Sequence, residues 1–284
     1  MMQMQIFYIL QLIYLLQRII NANPIHAVKS KNYQEIHCPQ YETDSDIIKL
    51  FPFSVQLNPA LRKSSITYGL MTNGRINYIQ IVNEKFCIPS IIFCLKYLET
   101  LIINNSYFCD STKQINGEME YLPEQIIKLQ KLRTLKISHV NQELPKNISN
   151  LKSLKKLMLQ NNSYLHSIKE IDGLPALHTL DVRHCSIQDL PRNLPKLNDL
   201  YMPYNNLTSL GSDIRTLSNK ENKVQNFHFD NNLITSITPE IRHLHTLSRL
   251  QLDHNQLDNL PTDMFDMKNL TYLNLKNNRL LPKN

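Results

Sequence analysis

A recurring pattern of apolar residues constrains the fold of this chain more than any other feature of its sequence. From Ile76 onward the pattern reads apolar-xx-apolar-x-apolar-xx-Asn-x-apolar, and its clearest copies start at Leu247 and Leu270. Nine units aligned on these copies start at Ile76, Leu98, Leu132, Leu154, Leu177, Leu197, Val224, Leu247 and Leu270. The two inner strand positions are apolar in every unit, whereas 42% of the whole chain is hydrophobic, so the repeat is not an accident of composition.

The spacing within a unit predicts how each unit folds. Two apolar positions separated by one residue predict a short strand with one buried face. Later residues, such as Leu260-Pro261 and Met264, turn the chain back, since proline fixes its own φ and suits a corner. A single unit cannot bury its apolar wedge alone, and the units are therefore expected to stack into a solenoid.

A polar slot follows each predicted strand. It holds Asn162, Asn205, Asn232, Asn255 and Asn278. A side-chain amide at this position can bond to backbone groups and continue a ladder from coil to coil. In other units the slot holds Glu84, Ser106, Val140 and Cys185, so the ladder is expected to be weak at the N-terminal end.

These repeats resemble the leucine-rich-repeat family, with 22- to 23-residue units of the kind ending L-P-x-x-I-x-x-L, from roughly Ile76 to Pro282. The resemblance implies an α/β fold, a curved horseshoe solenoid with a parallel concave sheet, about nine repeats and an N-terminal capping region. We expect a signal peptide at 1–22, the capping region at 23–75 and the repeat domain at 76–284. A short helix at Asp44 to Phe51 and a strand after Ser64 are candidate capping elements, and inserts at Asp110 to Glu120 and Ser218 to Lys223 are expected as surface loops.

The N-terminal segment indicates the compartment. Residues 6–16, IFYILQLIYLL, form an apolar run that is shorter than the roughly 20 residues of a membrane span. A secretory signal peptide cleaved near Ala22 or Ala27 is the preferred interpretation, with an amphipathic capping helix or a membrane anchor as alternatives. No second apolar stretch predicts a membrane span.

Four of the five cysteines, Cys38, Cys87, Cys94 and Cys109, cluster near the first repeats, as in the disulfide-stapled caps of extracellular family members. Cys87 and Cys109 each follow their unit's start by eleven residues, and neighbouring strands lie about 4.8 Å apart, which a disulfide can bridge. We therefore expect Cys87–Cys109, which leaves Cys38 and Cys94 as the second pair; free thiols in a cytosolic protein are the alternative. Glycosylation sequons occur at Asn104, Asn147, Asn161, Asn206 and Asn269.

The sequence carries no motif for catalysis or for binding a nucleotide, a metal or a cofactor. The net charge of +7 is spread along the chain, and no concentrated basic stripe favours nucleic acid. We therefore expect no enzyme, no cofactor, no metal, no nucleic-acid partner and no small-molecule substrate.

Outward strand residues predict the binding surface, because side chains alternate between the two faces of a strand. The expected ligand-binding residues on the concave face are Asp181, Arg183, Asp199, Tyr201, Tyr204, His228, Asp230, Arg249 and Asp253. Tyrosine and arginine are common in protein-binding hot spots. A concave face that is merely solvated is the alternative interpretation.

Three functions fit this sequence. The leading hypothesis is a secreted or cell-surface recognition module that binds a protein or peptide on its concave face. An intracellular scaffold in signal transduction is the runner-up, and the state of the cysteines separates the two. The third is a regulatory domain that lost its partner by truncation, since no C-terminal cap follows Leu281-Pro282.

Overall fold

The computed structural model describes residues 38, 43–108, 120–140, 142–221 and 223–280. They belong to one compact unit of the chain, Ile36–Asn284. The signal peptide expected at 1–22 and most of the insert expected at Asp110 to Glu120 lie outside the described residues. No helix within the described ranges is long and apolar enough to cross a membrane.

An eleven-stranded sheet, in the order β1-β2-β3-β4-β6-β8-β9-β10-β12-β14-β15, dominates the described part of the chain. Its strands are β1 Gln56–Leu57, β2 Tyr68–Thr72, β3 Arg75–Val82, β4 Thr100–Asn104, β6 Thr134–Ser138, β8 Lys156–Met158, β9 Thr179–Asp181, β10 Asp199–Tyr201, β12 Gln225–His228, β14 Leu247–Gln251 and β15 Tyr272–Asn274. From β3 onward neighbouring strands pair in parallel, whereas β2 and β3 form an antiparallel hairpin. This is a leucine-rich-repeat solenoid, as the spacing of the units predicts.

The strand register follows the alignment of the units. Leu101 pairs with Leu135, and the same inner position pairs from coil to coil through Leu200 to Leu250 and Leu273. In β4 through β14 this position is fully buried, which places the apolar core directly behind the sheet. The outward residues between the buried positions therefore form regular columns across the strands.

The return segments are short 3-10 helices rather than α-helices. They span Ser90–Cys94, Glu124–Lys128, Ile148–Asn150, Lys169–Ile171, Ser212–Leu217, Pro239–His243 and Thr262–Asp266. Two small parallel sheets join neighbouring coils, β5 Glu120–Tyr121 with β7 Gln142–Glu143, and β11 Ser209–Leu210 with β13 Ser236–Ile237. Pro123 and Pro261 stand at helix N-caps with extended ψ values of 133° and 138°, so each proline turns the chain into its helix.

The asparagine ladder bonds one coil to the next. Asn232 donates from Nδ2 to the carbonyls of Met202 and Phe229 at 2.9 and 3.0 Å, and its Oδ1 accepts from the Leu207 N–H at 3.1 Å. Asn162, Asn205, Asn255 and Asn278 bond in the same manner. At the slot of the fifth unit, the Cys185 thiol donates to the Leu159 carbonyl at 3.1 Å, and burial raises its pKa to about 11.

The interpretation of Val224 as the leading apolar residue of its unit is wrong. Val224 is 62% exposed, whereas Gln225 is fully buried and pairs with Leu247, and the register then shifts between Gln225 and Asn226. The Gln225 amide donates to the carbonyls of Leu197 and Leu217 at 2.9 and 2.7 Å. The buried amide is satisfied because it donates to both of these carbonyls.

That insert, expected as a surface loop at Ser218 to Lys223, is tied to the preceding coil. Asn219 is buried and donates to the Leu197 carbonyl at 3.1 Å. Lys196 and Lys223 both pair with Glu221 and lower the pKa of its carboxyl to about 2, the contact with Lys196 contributing most. The insert is therefore held by buried amide bonds as well as by exposed ion pairs.

A small cap closes the N-terminal end of the described sheet. Helix α1, Asp44–Ile48, begins after Thr43, whose hydroxyl accepts from the Asp46 N–H at 3.3 Å. The buried Asp44 carboxylate accepts from the Ile76 N–H at 2.8 Å and from Arg75 at 3.1 Å, which fixes the helix against β3. A disulfide joins Cys38 to Cys94, the second pair expected from the sequence, and ties this cap to the first return segment.

Candidate functional site on the concave sheet

The outward columns of the sheet form the candidate site, hereafter the concave face. Lys136, Met158, Asp181, Tyr201, His228 and Gln251 pair in register on successive strands. A second column lies two residues later in each unit and includes Arg183, Asp230 and Asp253, and a third, two residues earlier, includes Asp199 and Arg249. The structure thus brings the expected site residues together on one surface.

Asp181 supports this surface from below. It is 2% exposed, and both of its carboxylate oxygens accept from Arg183, from Nε and from one terminal nitrogen, at 2.8 Å each. Gln160 also donates to it. Asp181 is therefore not available for direct contact with a ligand, and it orients the Arg183 guanidinium instead.

Aromatic side chains occupy the centre of the concave face. The Tyr201 and His228 rings lie 4.7 Å apart, and the Arg183 guanidinium carbon lies 5.2 Å from the Tyr201 ring centroid. Beside this group, the rings of His184 and Tyr204 stack with their centroids 4.3 Å apart, and Tyr204 is half exposed. Planar groups held by stacking lose little conformational freedom on binding, which favours their use as anchors.

Burial at this centre shifts the pKa values of two side chains, His228 and Tyr201. It lowers the pKa of His228; a hydrogen bond that the ring donates to Gln251 and the charge of Asp230 oppose this shift, and Arg249 and Arg183 reinforce it. Burial likewise raises the pKa of Tyr201, and the charge of Asp199 adds to that increase. Both rings are therefore held as neutral, partly buried contact groups near neutral pH.

Three carboxylates remain accessible on the C-terminal half of the concave face. Asp199 accepts from Asn226 at 2.9 Å, and Asp230 accepts from Asn231 at 3.0 Å. Asp253 accepts from Asn274 at 2.8 Å and lies 3.0 Å from Nδ1 of His254. Arg249 is engaged separately, with its guanidinium carbon 3.7 Å from the Tyr272 ring centroid.

One edge of the concave face consists of residues with a left-handed backbone, a feature that the sequence interpretation missed. The residue directly before the polar slot has a φ between 48° and 58° in each unit: Asn83, Asn105, His139, Asn161, His184, Tyr204, Asn231, His254 and Asn277. Asparagine and histidine tolerate this region better than most side chains. The recurrence of Asn or His immediately before the slot was the available signal.

The expected glycosylation sites differ in their surroundings. Asn161 and Asn206 are exposed. Asn104 lies at the end of β4, and its Oδ1 contacts Ser138 and His139 at 3.3 and 3.0 Å. Asn147 has a buried Oδ1 without a hydrogen-bond partner among the described residues, and Asn269 donates to the His245 carbonyl at 2.6 Å.

Cys87 is disulfide-bonded, and its expected partner Cys109 lies outside the described residues. Ile88 and Phe108, their neighbours in sequence, pair as a parallel bridge, and the Ile88 N–H donates to the Tyr107 carbonyl at 2.7 Å. The Cys87–Cys109 bond itself stays a prediction.

The concave face offers groups that suit contact with a partner. Within the ranges that the structure describes, no three His, Cys, Asp or Glu side chains lie close enough to hold a metal ion. Asp230 and Asp253 are partly buried carboxylates with amide or imidazole neighbours, an arrangement that solvates their charge. The face offers stacked rings, one guanidinium fixed by a carboxylate, and exposed charges.

Comparisons with known proteins concern the same fold. A leucine-rich-repeat family model matches residues 222–280. The volume-regulated anion channel subunit LRRC8D of Rattus norvegicus is 26% identical over 207 residues, which are 68% of this chain and 22% of that protein. This chain thus spans about a fifth of the length of that relative.

Two solved structures share the architecture. A leucine-rich-repeat protein of Leptospira interrogans has 24% sequence identity and a TM-score of 0.53, over 76% of this chain and 56% of that chain. A TLR13-ssRNA13 complex has 23% identity and a TM-score of 0.62, over 74% of this chain and 30% of that chain. At these identities the likeness concerns the fold alone.

Proposed function

We propose that this leucine-rich-repeat solenoid is a non-enzymatic, extracellular recognition module that binds a protein or peptide ligand on its concave face. The observation that carries the proposal is the central group of Tyr201, Tyr204, His228 and Arg183. These side chains are fixed by stacking and by the Arg183–Asp181 pair, yet they remain partly exposed. Hot spots in protein interfaces combine aromatic residues and arginine in this manner.

A protein or peptide fits this surface better than a nucleic acid. The carboxylates of Asp199, Asp230 and Asp253 lie on the C-terminal side of the aromatic centre and would repel a phosphodiester backbone there. The ssRNA in the TLR13 complex belongs to that protein and shares only the fold with this chain.

The cysteines support an extracellular location. Cys38 is bonded to Cys94, and Cys87 is also disulfide-bonded. Disulfides persist in oxidising compartments and are rare in the cytosol, so they favour the secreted module over an intracellular scaffold. The apolar segment at 6–16 would direct export.

Photo-crosslinking would test the site of binding. A photoreactive phenylalanine replaces Tyr201 in the full secreted chain, which is then applied to intact cells of the source organism and irradiated. Crosslinked proteins are identified by mass spectrometry, expressed, and measured for binding by calorimetry. We expect Tyr201→Ala and Tyr204→Ala each to weaken the Kd about 10- to 100-fold, as hot-spot substitutions do.

Tyr164 supplies the matched control, since it is a half-exposed tyrosine outside the strands of the sheet. A photoreactive group at Tyr164 should not capture the same partner, and Tyr164→Ala should leave the Kd within about twofold, as expected for a residue outside the interface. Equal crosslinking from both positions, or unchanged affinity in the Tyr201 and Tyr204 variants, would reject the concave site.

A further inference from the structure

Ionic side chains of opposite sign occupy different parts of the concave sheet. A basic group lies on β6 and β8 and at the residues that precede them: Arg133, Lys136, Lys155 and Lys156. An acidic group lies on β10 and directly after β12 and β14: Asp199, Asp230 and Asp253. The two groups are separated by β9, so the sheet is electrostatically polar along its length.

Most charges of the basic group are not neutralised by a nearby carboxylate in the described part of the chain. Lys155 and Lys156 are exposed and Lys136 is half-buried, and in the described part of the chain none has a carboxylate oxygen within 4 Å of its ammonium nitrogen. Arg133 has one acidic neighbour, Glu99, at 3.6 Å. An exposed pair at that distance neutralises little of the local charge.

The acidic group is also incompletely compensated. Its carboxylates accept from the amides of Asn226, Asn231 and Asn274, which carry no charge. The nearby cation Arg183 is neutralised by Asp181, and Arg249 stacks on Tyr272 at 3.7 Å. The remaining contact is that between Asp253 and His254.

Apolar and aromatic groups lie beside both charged groups, in the middle of the sheet. Met158, Tyr201 and His228 occupy the same outward column on β8, β10 and β12. Strands in a sheet lie about 4.8 Å apart, so three strand steps from β8 to β12 cover about 14 Å, and five from β6 to β14 about 24 Å. An extended peptide advances about 3.3 Å per residue, and about four to seven residues cover these distances.

Resting on the peptide-binding function proposed above, we propose that the concave face selects an extended peptide by its charge order. The peptide lies across the strands, with acidic residues over the basic group, an apolar or aromatic middle over Met158 and Tyr201, and basic residues over the acidic group. A uniformly acidic or uniformly basic ligand would meet repulsion from one half of the face.

Two synthetic peptides of identical composition test this charge order. Both are ten residues long, acetylated and amidated: a block peptide, Glu-Glu-Glu-Gly-Leu-Tyr-Gly-Lys-Lys-Lys, and an alternating peptide, Glu-Lys-Glu-Gly-Leu-Tyr-Gly-Lys-Glu-Lys. Binding to the full chain is measured by calorimetry at low and at physiological salt. We expect the block peptide to bind about tenfold more tightly at low salt, as several exposed ion pairs acting together allow, and this advantage to shrink as salt is added.

Charge-swap variants connect this preference to the two groups. Lys136→Glu with Lys156→Glu, or Asp230→Lys with Asp253→Lys, should each abolish the preference for the block peptide. All four substitutions together should restore it, because the peptide can then lie in the opposite direction. Lys146→Glu with Asp258→Lys, exposed residues outside the strands, should leave the preference unchanged, and circular dichroism verifies folding of every variant.

Equal affinity for the two peptides in the unaltered protein would overturn the charge-order proposal, as would a folded four-site variant that shows no preference. The partner captured through Tyr201 separates this failure from that of the proposed function. If that partner still requires Tyr201 and Tyr204, only the charge order is rejected; if it does not, the concave site is rejected as well.

Discussion

Adjacent asparagines serve different purposes within a coil, and Asn231 and Asn232 show the difference. Asn231 has a φ of 54° and turns the backbone at the edge of the concave face. Asn232 is buried and joins four backbone groups from two coils. The first position needs a residue that tolerates the left-handed region, and the second needs both a donor and an acceptor.

Substitution Asn232→Ala should lower the free energy of unfolding by about 2–3 kcal/mol, because the Leu207 N–H and three carbonyls lose their buried partner. Urea unfolding followed by circular dichroism measures the change. Asn259→Ala, an exposed asparagine that bonds only to Asp258 in the described structure, should change stability by less than about 0.5 kcal/mol. Equal effects of the two substitutions would contradict the ladder.

His228 should make stability depend on pH. Burial lowers its pKa in the folded state below the unfolded value of about 6.5, so the unfolded chain binds the proton first as the pH falls. The free energy of unfolding should therefore decrease as the pH falls below about 6.5, and should not respond to this residue above it.

Urea unfolding at pH 7.5 and pH 5.5 measures this dependence. His228→Gln should remove part of the loss at the lower pH, whereas His166→Gln, which alters an exposed histidine, should retain it. An unchanged pH dependence in the His228 variant would show that burial at this position does not penalise protonation.

At the scale of strands, the burial of the inner apolar position of a repeat depends on whether its strand has neighbours on both sides. Leu200 in β10 is fully buried between β9 and β12, whereas Leu273 in β15 occupies the equivalent position and is 36% exposed. Among the described strands β15 pairs only with β14. The repeat pattern is the same in both units, and only the stacking of the coils distinguishes them.

Leu200→Ala should therefore cost about 3 kcal/mol of unfolding free energy, since it leaves a cavity that packed coils on both sides cannot fill. Leu273→Ala should cost less than about 1 kcal/mol. Urea titrations of both variants provide the comparison. Similar losses at the two sites would mean that another surface covers β15 in solution.

Gln225 shows how a strand can depart from its repeat without losing its place in the sheet. The alignment assigned Val224 to the core, but a local register shift brings Gln225 inward, where its amide satisfies carbonyls of the preceding coil. Apolar periodicity does not predict such a bond, because the bond joins residues of different coils that lie far apart in the sequence.

At the scale of the whole molecule, a disulfide joins the cap to the repeats. The Cys38–Cys94 disulfide closes a long segment, with a sequence separation of 56, and anchors the cap. Loops of this length lose much of their unfolded-state entropy when crosslinked, so the bond is expected to contribute about 2–4 kcal/mol.

Expression of the full chain in a secretory eukaryotic cell should yield an exported protein cleaved near Ala22 or Ala27. Non-reducing peptide mapping should recover Cys38–Cys94 together with a Cys87–Cys109 peptide, and intact mass should report glycans, with Asn161, Asn206 and Asn269 the exposed acceptors. A reduced, uncleaved chain retained in the cytosol would favour the intracellular scaffold.

The sequence by itself determined the stacking of the coils and, except at the start of β12, the register of the repeat strands and which of their side chains face outward. These properties follow from spacing along the chain, since an apolar wedge at a fixed period has one way to be buried. The tertiary structure alone decided which outward residues can contact a ligand. Asp181 is buried and bonded to Arg183, whereas Asp230 and Asp253 stay partly exposed. It also decided that Gln225 rather than Val224 enters the core, because burial and pairing depend on contacts between coils that a one-dimensional period does not contain.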